Sequence, residues 1–134
     1  MSWIVAGLIV GVVAWVLDFI LWTKVFMKGM EAFGTRPAEG QPAGMGPKVV
    51  GALLLALLFG VFFTGVYAHV RASLWAGGVQ GGMEFGSILW LPVAFLTLGL
   101  RVWYDKVRPL LTACFWVWFI RLNVVGIAAA LLVK

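Results

Sequence analysis

Four long apolar stretches, separated by polar segments, set the pattern of this chain. They cover residues 3–26, 49–68, 85–102 and 110–133. A helix needs about 20 predominantly apolar residues to cross a bilayer, and each stretch is close to that length. The pattern therefore predicts an all-α membrane protein with a single domain over residues 1–134, in which four transmembrane helices form an up-down bundle.

The composition excludes a soluble globular domain. Hydrophobic residues make up 63% of the chain and charged residues only 11%, whereas a soluble domain carries about 25% charged residues. The net charge of +5 does not predict binding to nucleic acid, because the basic residues flank apolar stretches. In such positions they set the topology and contact lipid headgroups, so membrane lipids are the expected partners.

The basic residues are unequally divided between the two ends of the predicted helices. Seven flank the first and third polar segments, and two lie at the opposite ends. The positive-inside rule then places both basic segments in the cytoplasm and both termini outside, in a cytoplasmic (inner) membrane. The seven are Lys24, Lys28, Arg36, Lys48, Arg101, Lys106 and Arg108, and the two are Arg71 and Lys134.

Two residues of opposite charge lie inside apolar stretches. Arg121 is near the middle of the fourth stretch, and Asp18 is the acidic residue at a matching depth in the first. An unpaired charge at that depth costs about 3 kcal/mol on insertion scales, and pairing lowers this cost. We therefore expect an intramembrane ion pair between Asp18 and Arg121, with Asn123 as a polar neighbour. The pair is interpreted as a structural element that sets helix register, as part of a proton, ion or anion site, or as a lipid contact.

Small residues recur at spacings that suit close helix packing. Gly7 and Gly11 form a G-x-x-x-G pair on the face of the first helix that carries Asp18, so this face is expected to point into the bundle. In the second stretch a small residue occupies every fourth position, which favours a close crossing with a neighbouring helix. The residues predicted to pack there are Ala52, Ala56, Gly60 and Thr64.

A short glycine-rich segment with charged ends joins the second and third stretches. His69, Arg71 and Glu84 are predicted to cluster there at one membrane interface. His69 is interpreted as a paired interfacial histidine, with a haem or chlorophyll ligand as the alternative. No metal site and no cofactor are predicted, because too few nitrogen, sulfur or oxygen donors lie nearby in the chain. Cys114 is expected to be a small packing residue.

The two halves of the chain share one layout, an apolar stretch, a basic segment and a second apolar stretch. An internal repeat would therefore be parallel rather than inverted. The residue-level similarity between the halves is too weak to establish such a repeat from the sequence.

A short motif ends the first apolar stretch and consists of Leu21, Trp22, Phe26, Met27 and Lys28. Three residues of the third helix add to it, namely Gly82, Gly86 and Trp90. In these residues the chain resembles a bacterial family of small four-helix membrane proteins of unknown function. Thr23 stands where that family tends to carry a tyrosine, and Asp18 stands where it tends to carry a small residue. The resemblance implies the four-helix layout and no activity.

Three functions are compatible with these features. The packing residues, the aromatic content and the lack of a catalytic constellation favour an accessory or assembly subunit of a larger membrane complex. Such a subunit is not an enzyme and associates with itself or with other membrane proteins. The first alternative is a small oligomeric transporter or channel in which Asp18 and Arg121 line a path. The second is a pigment or quinone binder that uses His69 and tryptophans.

Overall fold

The computed structural model describes residues 2–26 and 45–134, which are almost entirely helical. Four of the described helices are long and apolar enough to cross a membrane. This confirms the predicted fold class and gives the chain the build of an integral membrane protein. The helices are α1 (Trp3–Ile20), α2 (Met45–Val70), α3 (Gly78–Trp103) and α4 (Arg108–Leu132).

Two helices, α2 and α3, extend beyond the predicted apolar stretches at both ends, most clearly at the start of α3. The prediction began this helix at residue 85, whereas it begins at Gly78 after the N-cap residue Gly77. The Glu84 carboxylate accepts hydrogen bonds from the backbone N–H groups of Trp75 and Ala76, at 3.0 and 2.8 Å. This carboxylate satisfies donors just ahead of the helix, so a glycine-rich segment that looked like a loop can form helical turns.

The end of α1 departs from regular α-helical geometry. Residues Leu21–Val25 form a turn of π-helix, and the backbone N–H of Phe26 donates to the carbonyl of Leu21 over 2.7 Å. The predicted span of 3–26 is therefore correct in length, but its last turn has a different register. Such a turn inserts one extra residue, and it changes the direction in which the following side chains point.

Glycine contacts hold α1 and α2 together as an antiparallel hairpin. A Cβ placed on Gly60 would lie 2.6 Å from the Gly11 Cα, and one placed on Gly11 would lie 2.7 Å from the Leu57 Cα. These separations are shorter than any real contact of a Cβ atom, so the two backbones touch directly. Only glycine permits this approach, as expected for a G-x-x-x-G crossing in a membrane.

The second hairpin, between α3 and α4, is closed in the same way. A Cβ on Gly86 would lie 3.1 Å from the Asn123 Cα, and a Cβ on Gly126 would lie 3.5 Å from the Gly82 Cα and closer to its carbonyl group. The sequence indicated Gly82 and Gly86 only through the family resemblance. Their partner Gly126 was not predicted.

One apolar core joins the two hairpins, and α1 and α4 form the main contact between them. On α1 the fully buried residues of this core are small, Ala6, Val10 and Ala14, so α4 can pack closely. The other members include Phe63, Tyr67, Phe85, Leu122, Val125 and Ala129. The rings of Phe63 and Phe85 lie 4.9 Å apart and bring α2 against α3 near one end of the bundle.

Candidate functional site

The Asp18 and Arg121 side chains form an ion pair between α1 and α4. Arg121 Nη1 lies 3.1 Å from Asp18 Oδ2. The Arg121 and Asp18 side chains are only 12% and 27% exposed, so both charged groups are largely buried in the protein. Each charge at this depth in the bundle is therefore stabilised mainly by the other.

Two aromatic rings also contact the Arg121 guanidinium. Its central carbon lies 4.5 Å from the centre of the Phe59 ring on α2 and 4.7 Å from the centre of a Trp118 ring on α4. Both distances are within the range of a cation–π interaction, which reaches about 2 kcal/mol when water is excluded. Arg121 thus connects α4 to α1 through Asp18 and to α2 through Phe59.

The ion pair is not fully satisfied. Asp18 Oδ1 and Arg121 Nε are buried and have no hydrogen-bond partner within the part of the chain that the structure describes. Unmade hydrogen bonds of buried charged groups are costly, so native structures rarely retain them without a reason. One acceptor of Asp18 and one donor of Arg121 are therefore left unmatched by the described residues.

A cavity of about 970 Å³ adjoins the ion pair. Volumes of this size are typical of pockets that bind small organic molecules. Its walls come from α1, the π-helical turn, α2 and α4, and they are mostly apolar. They consist of Trp15, Val16, Asp18, Phe19, Trp22, Thr23, Lys48, Val49, Ala52, Leu55, Ala56, Phe59, Trp118 and Arg121.

The cavity runs from the middle of the helices to one end of them. Phe59 and Lys48 both line it, and 11 residues of α2 separate them, which corresponds to about 16 Å at 1.5 Å per residue. Arg121 lies at the deep end, near the middle of α4, and Lys48 lies at the shallow end, in the first turn of α2. This length and polarity suit an elongated amphiphile rather than a metal ion.

The predicted packing residues take part in the helix contacts with one exception. Gly7, Gly11, Ala56, Gly60 and Thr64 are buried at the α1–α2 contact or next to it. Ala52, which was predicted to pack against another helix, is exposed and lines the cavity. It lies more than one turn beyond the point where the glycines cross, and helices that cross at an angle separate on either side of that point.

Asn123 does not neighbour the ion pair as expected. Its Nδ2 donates to the Phe119 carbonyl over 2.9 Å, and its Oδ1 accepts from Ser87 Oγ over 3.2 Å. Two residues turn a helix by about 200°, so the Asn123 and Arg121 side chains leave α4 on opposite sides. Asn123 belongs to the α3–α4 contact.

The predicted interfacial residues lie near one end of the bundle but do not pair with one another. His69 Nδ1 lies 2.7 Å from the Gly65 carbonyl oxygen, and Arg71 Nη1 donates to the Val133 carbonyl over 2.9 Å. Glu84 binds the backbone ahead of α3. Arg71 and Glu84 therefore hold a chain end and a turn, whereas His69 contacts its own helix and does not line the cavity.

Within residues 2–26 and 45–134, no group of His, Cys, Asp and Glu side chains is arranged to hold a metal ion. The cavity itself was missed by the sequence reasoning. Its signal in the sequence was the face of α1 that carries Asp18, which was expected to point into the bundle as a packing face. The volume arises from the small size of Ala52 and Ala56 opposite that face, and such a pairing across two helices is visible only in the fold.

Comparison with protein families, curated proteins and solved structures finds no match to this chain. The resemblance to a family of small four-helix membrane proteins therefore stays a hypothesis. Function has to be argued from the cavity and the ion pair.

Proposed function

We propose that this protein binds an amphiphilic small molecule inside the membrane, in the cavity beside Asp18 and Arg121, and that it catalyses no reaction. The observation that carries this proposal is a cavity of about 970 Å³ with apolar walls, a charged pair at its deep end and Lys48 at its shallow end. Pockets with apolar walls and a few polar groups are the usual form of small-molecule sites.

This proposal changes the order of the functions that the sequence suggested. There the accessory subunit was preferred because of the packing residues, the aromatic content and the lack of a catalytic constellation. The cavity favours the binding alternatives, with the tryptophans rather than His69 as the contact residues.

Native mass spectrometry of the protein, extracted from its own membrane in mild detergent, tests the proposal. We expect one small amphiphile per chain in the wild type and none in Ala52→Trp, in which a large ring fills the cavity from α2. Leu54→Trp is the matched control, because Leu54 lies on the same helix, is 57% exposed and does not line the cavity. Absence of a bound amphiphile from the wild type, or its retention in Ala52→Trp, would contradict the proposal.

An accessory or assembly subunit is the second candidate, and the pairing of Asp18 with Arg121 favours it. Asp18 and Arg121 neutralise each other, so neither is a free acid or base available for turnover. The same native preparation tests this candidate, since a second protein that stays bound in place of an amphiphile would support it. An oligomer of this chain alone would support association with itself.

For the location we propose the cytoplasmic membrane of a bacterium, with the basic ends of the helices inside. Lys24 lies in the π-helical turn after α1 and Lys48 in the first turn of α2, and the basic residues Arg101, Lys106 and Arg108 lie in or beside the connection between α3 and α4. The shallow end of the cavity would then face the cytoplasmic leaflet.

A further inference from the structure

The two hairpins repeat the same set of contacts. Residues 7–15 read GLIVGVVAW and residues 82–90 read GMEFGSILW, so each hairpin begins with the pattern G-x-x-x-G-x-x-x-W. A Cβ on Gly11 would meet the Ala56 carbonyl, and a Cβ on Gly86 would meet the Leu122 carbonyl. On the second helix of each hairpin, a glycine lies four residues after the residue with that carbonyl: Gly60 follows Ala56, and Gly126 follows Leu122. The repeat is parallel, and the matching contacts establish what the sequence alone did not.

This repeat gives each residue of one hairpin a counterpart in the other. Trp15 corresponds to Trp90, because both follow the second glycine by four residues. On the second helices, Phe115 and Phe119 precede Gly126 by eleven and seven residues, as Val49 and Leu53 precede Gly60. The site around Trp90 therefore shows how such a hairpin looks when the space beyond the glycine crossing is filled.

In the α3–α4 hairpin that space is filled by aromatic rings. The Trp90 ring lies 4.8 Å from the ring of Phe115 and 4.9 Å from that of Phe119, both edge to face. Trp90 Nε1 also donates to the Phe115 carbonyl over 3.0 Å. The tryptophan is thus held by two flat rings and one carbonyl oxygen.

In the α1–α2 hairpin the corresponding space is the cavity. Trp15 and Val49 both line it, and the side chains of Val49 and Leu53 are too small to reach as far as the phenylalanine rings do. Among the described residues, none accepts a hydrogen bond from Trp15 as the Phe115 carbonyl does from Trp90. Among residues 2–26 and 45–134, the α1–α2 hairpin therefore has no counterpart to the two phenylalanine rings and the acceptor that contact Trp90.

We infer that the missing parts are supplied by the ligand, and that the cavity takes a flat conjugated ring carrying carbonyl oxygens on an apolar side chain, as in a quinone. Its ring packs against Trp15 in the place that Phe115 and Phe119 occupy against Trp90. This inference rests on the proposed function and narrows it to one chemical class.

The polar groups of the cavity favour carbonyl oxygens on the ring. A guanidinium has five N–H donors and no acceptor, an ammonium has three donors, and an indole has one. Arg121, Lys48 and Trp15 line the cavity and together carry more donors than Asp18 and Thr23 can accept. The Thr23 hydroxyl adds no free donor, because its Oγ1 donates to the Phe19 carbonyl. A ligand that offers acceptors and a flat apolar face matches this excess.

Equilibrium binding of a radiolabelled ubiquinone with one isoprene unit tests the inference, with the protein in nanodiscs and empty nanodiscs subtracted. We expect saturable binding of one quinone per chain. Val49→Phe places a ring where Phe115 lies in the other hairpin, and it should weaken binding at least about tenfold. Val50→Phe is the matched control, because Val50 is the next residue, is 56% exposed and does not line the cavity. Its affinity should stay at the wild-type level.

Dodecanoate, a saturated amphiphile without a ring, separates this inference from the proposed function. It should not displace the quinone. If dodecanoate binds saturably and the quinone does not, the ring class is wrong and the proposed function stands. If neither ligand binds, the ring class and the proposed function are both wrong. Equal loss of quinone affinity in Val49→Phe and Val50→Phe would show that the quinone binds outside the cavity. Should Val49→Phe fail to fold, Ala52→Leu narrows the same cavity from an exposed position and carries the same expectation.

Discussion

Arg121 Nη1 on α4 lies 3.1 Å from Asp18 Oδ2 on α1, and this contact joins the two hairpins of the bundle. Apart from it, α1 meets α4 through the small apolar side chains of Ala6, Val10 and Ala14, which provide close packing but little directional preference. An ion pair in a low-dielectric interior is strongly dependent on distance. It therefore fixes how far one hairpin slides along the other, and it positions Arg121 at the deep end of the cavity.

We expect the ion pair to show strong coupling in a double-mutant cycle. Asp18→Asn and Arg121→Leu should each destabilise the protein, by about 3–5 kcal/mol on the scale of soluble cores, because each leaves a buried charge alone. The double variant should recover part of this loss, since it leaves no unpaired charge. Thermal unfolding in detergent, followed by size-exclusion chromatography, measures the four stabilities. Additive losses would show that the two residues act independently.

We expect the glycine crossing in the first hairpin to be intolerant of side chains. Gly60→Leu should destabilise α1–α2 packing by about 1–3 kcal/mol or more, because a Cβ there would overlap the backbone of Gly7 and Gly11. Gly51→Leu on the same helix is the control, since a Cβ on Gly51 meets nothing within 4 Å. Melting temperature and oligomer size are the measurements. Equal stability of the two variants would mean that the contact between the helices does not support the fold.

The start of α3 is expected to depend on Glu84. Replacement by Ala removes the acceptor for the backbone N–H groups of Trp75 and Ala76, and the first turns of α3 should then fray. Hydrogen exchange measures this as faster exchange at Trp75 and Ala76 and in the turns after Gly78. Met83→Ala, at a neighbouring position that is 44% exposed, should leave the exchange unchanged. Similar exchange in both variants would contradict a capping role.

The four helices and the ion pair could be predicted from the sequence because each depends on a property of single residues. Apolar length predicts a span, and a lone acid at the depth of a lone arginine predicts a pair. The cavity could not be predicted in this way, since it depends on which side chains of α1 and α2 face each other. The repeat was hidden for a related reason, because the identities that mark it are few, namely Gly7, Gly11, Trp15 and Gly60 with their counterparts.

The topology remains a prediction from the distribution of basic residues. Gly77 lies in the short connection ahead of α3, next to Arg71, and Gly40 lies outside the described residues. A cysteine at Gly77 should react with an impermeant reagent added from outside, whereas one at Gly40 should react only after the membrane is opened. Cys114 is replaced by Ser in both variants, so that the new thiol is the only one. Reaction of Gly40→Cys from the outside alone would invert the topology.

Finally, we expect the reconstituted protein to show no ion or proton flux, in spite of its intramembrane charges. Transport needs access to a site from both sides of the membrane in turn. The cavity extends from Arg121 towards Lys48, and on the other side of Arg121 the described part of the first hairpin is closed by the contact of Gly7 and Gly11 with Gly60. Opening a path there would require separating two backbones that touch, together with the aromatic contact between Phe63 and Phe85.

Liposomes that contain a pH-sensitive dye measure this directly, with protein-free liposomes as the baseline. Wild type and Asp18→Asn should both match the baseline, because the ion pair positions the hairpins and carries no proton across them. A proton flux in the wild type that Asp18→Asn abolishes would contradict a binding protein and support a carrier, in which the ion pair opens during the cycle. Quinone binding without flux would indicate that the protein holds a quinone within one leaflet and does not carry ions across the membrane.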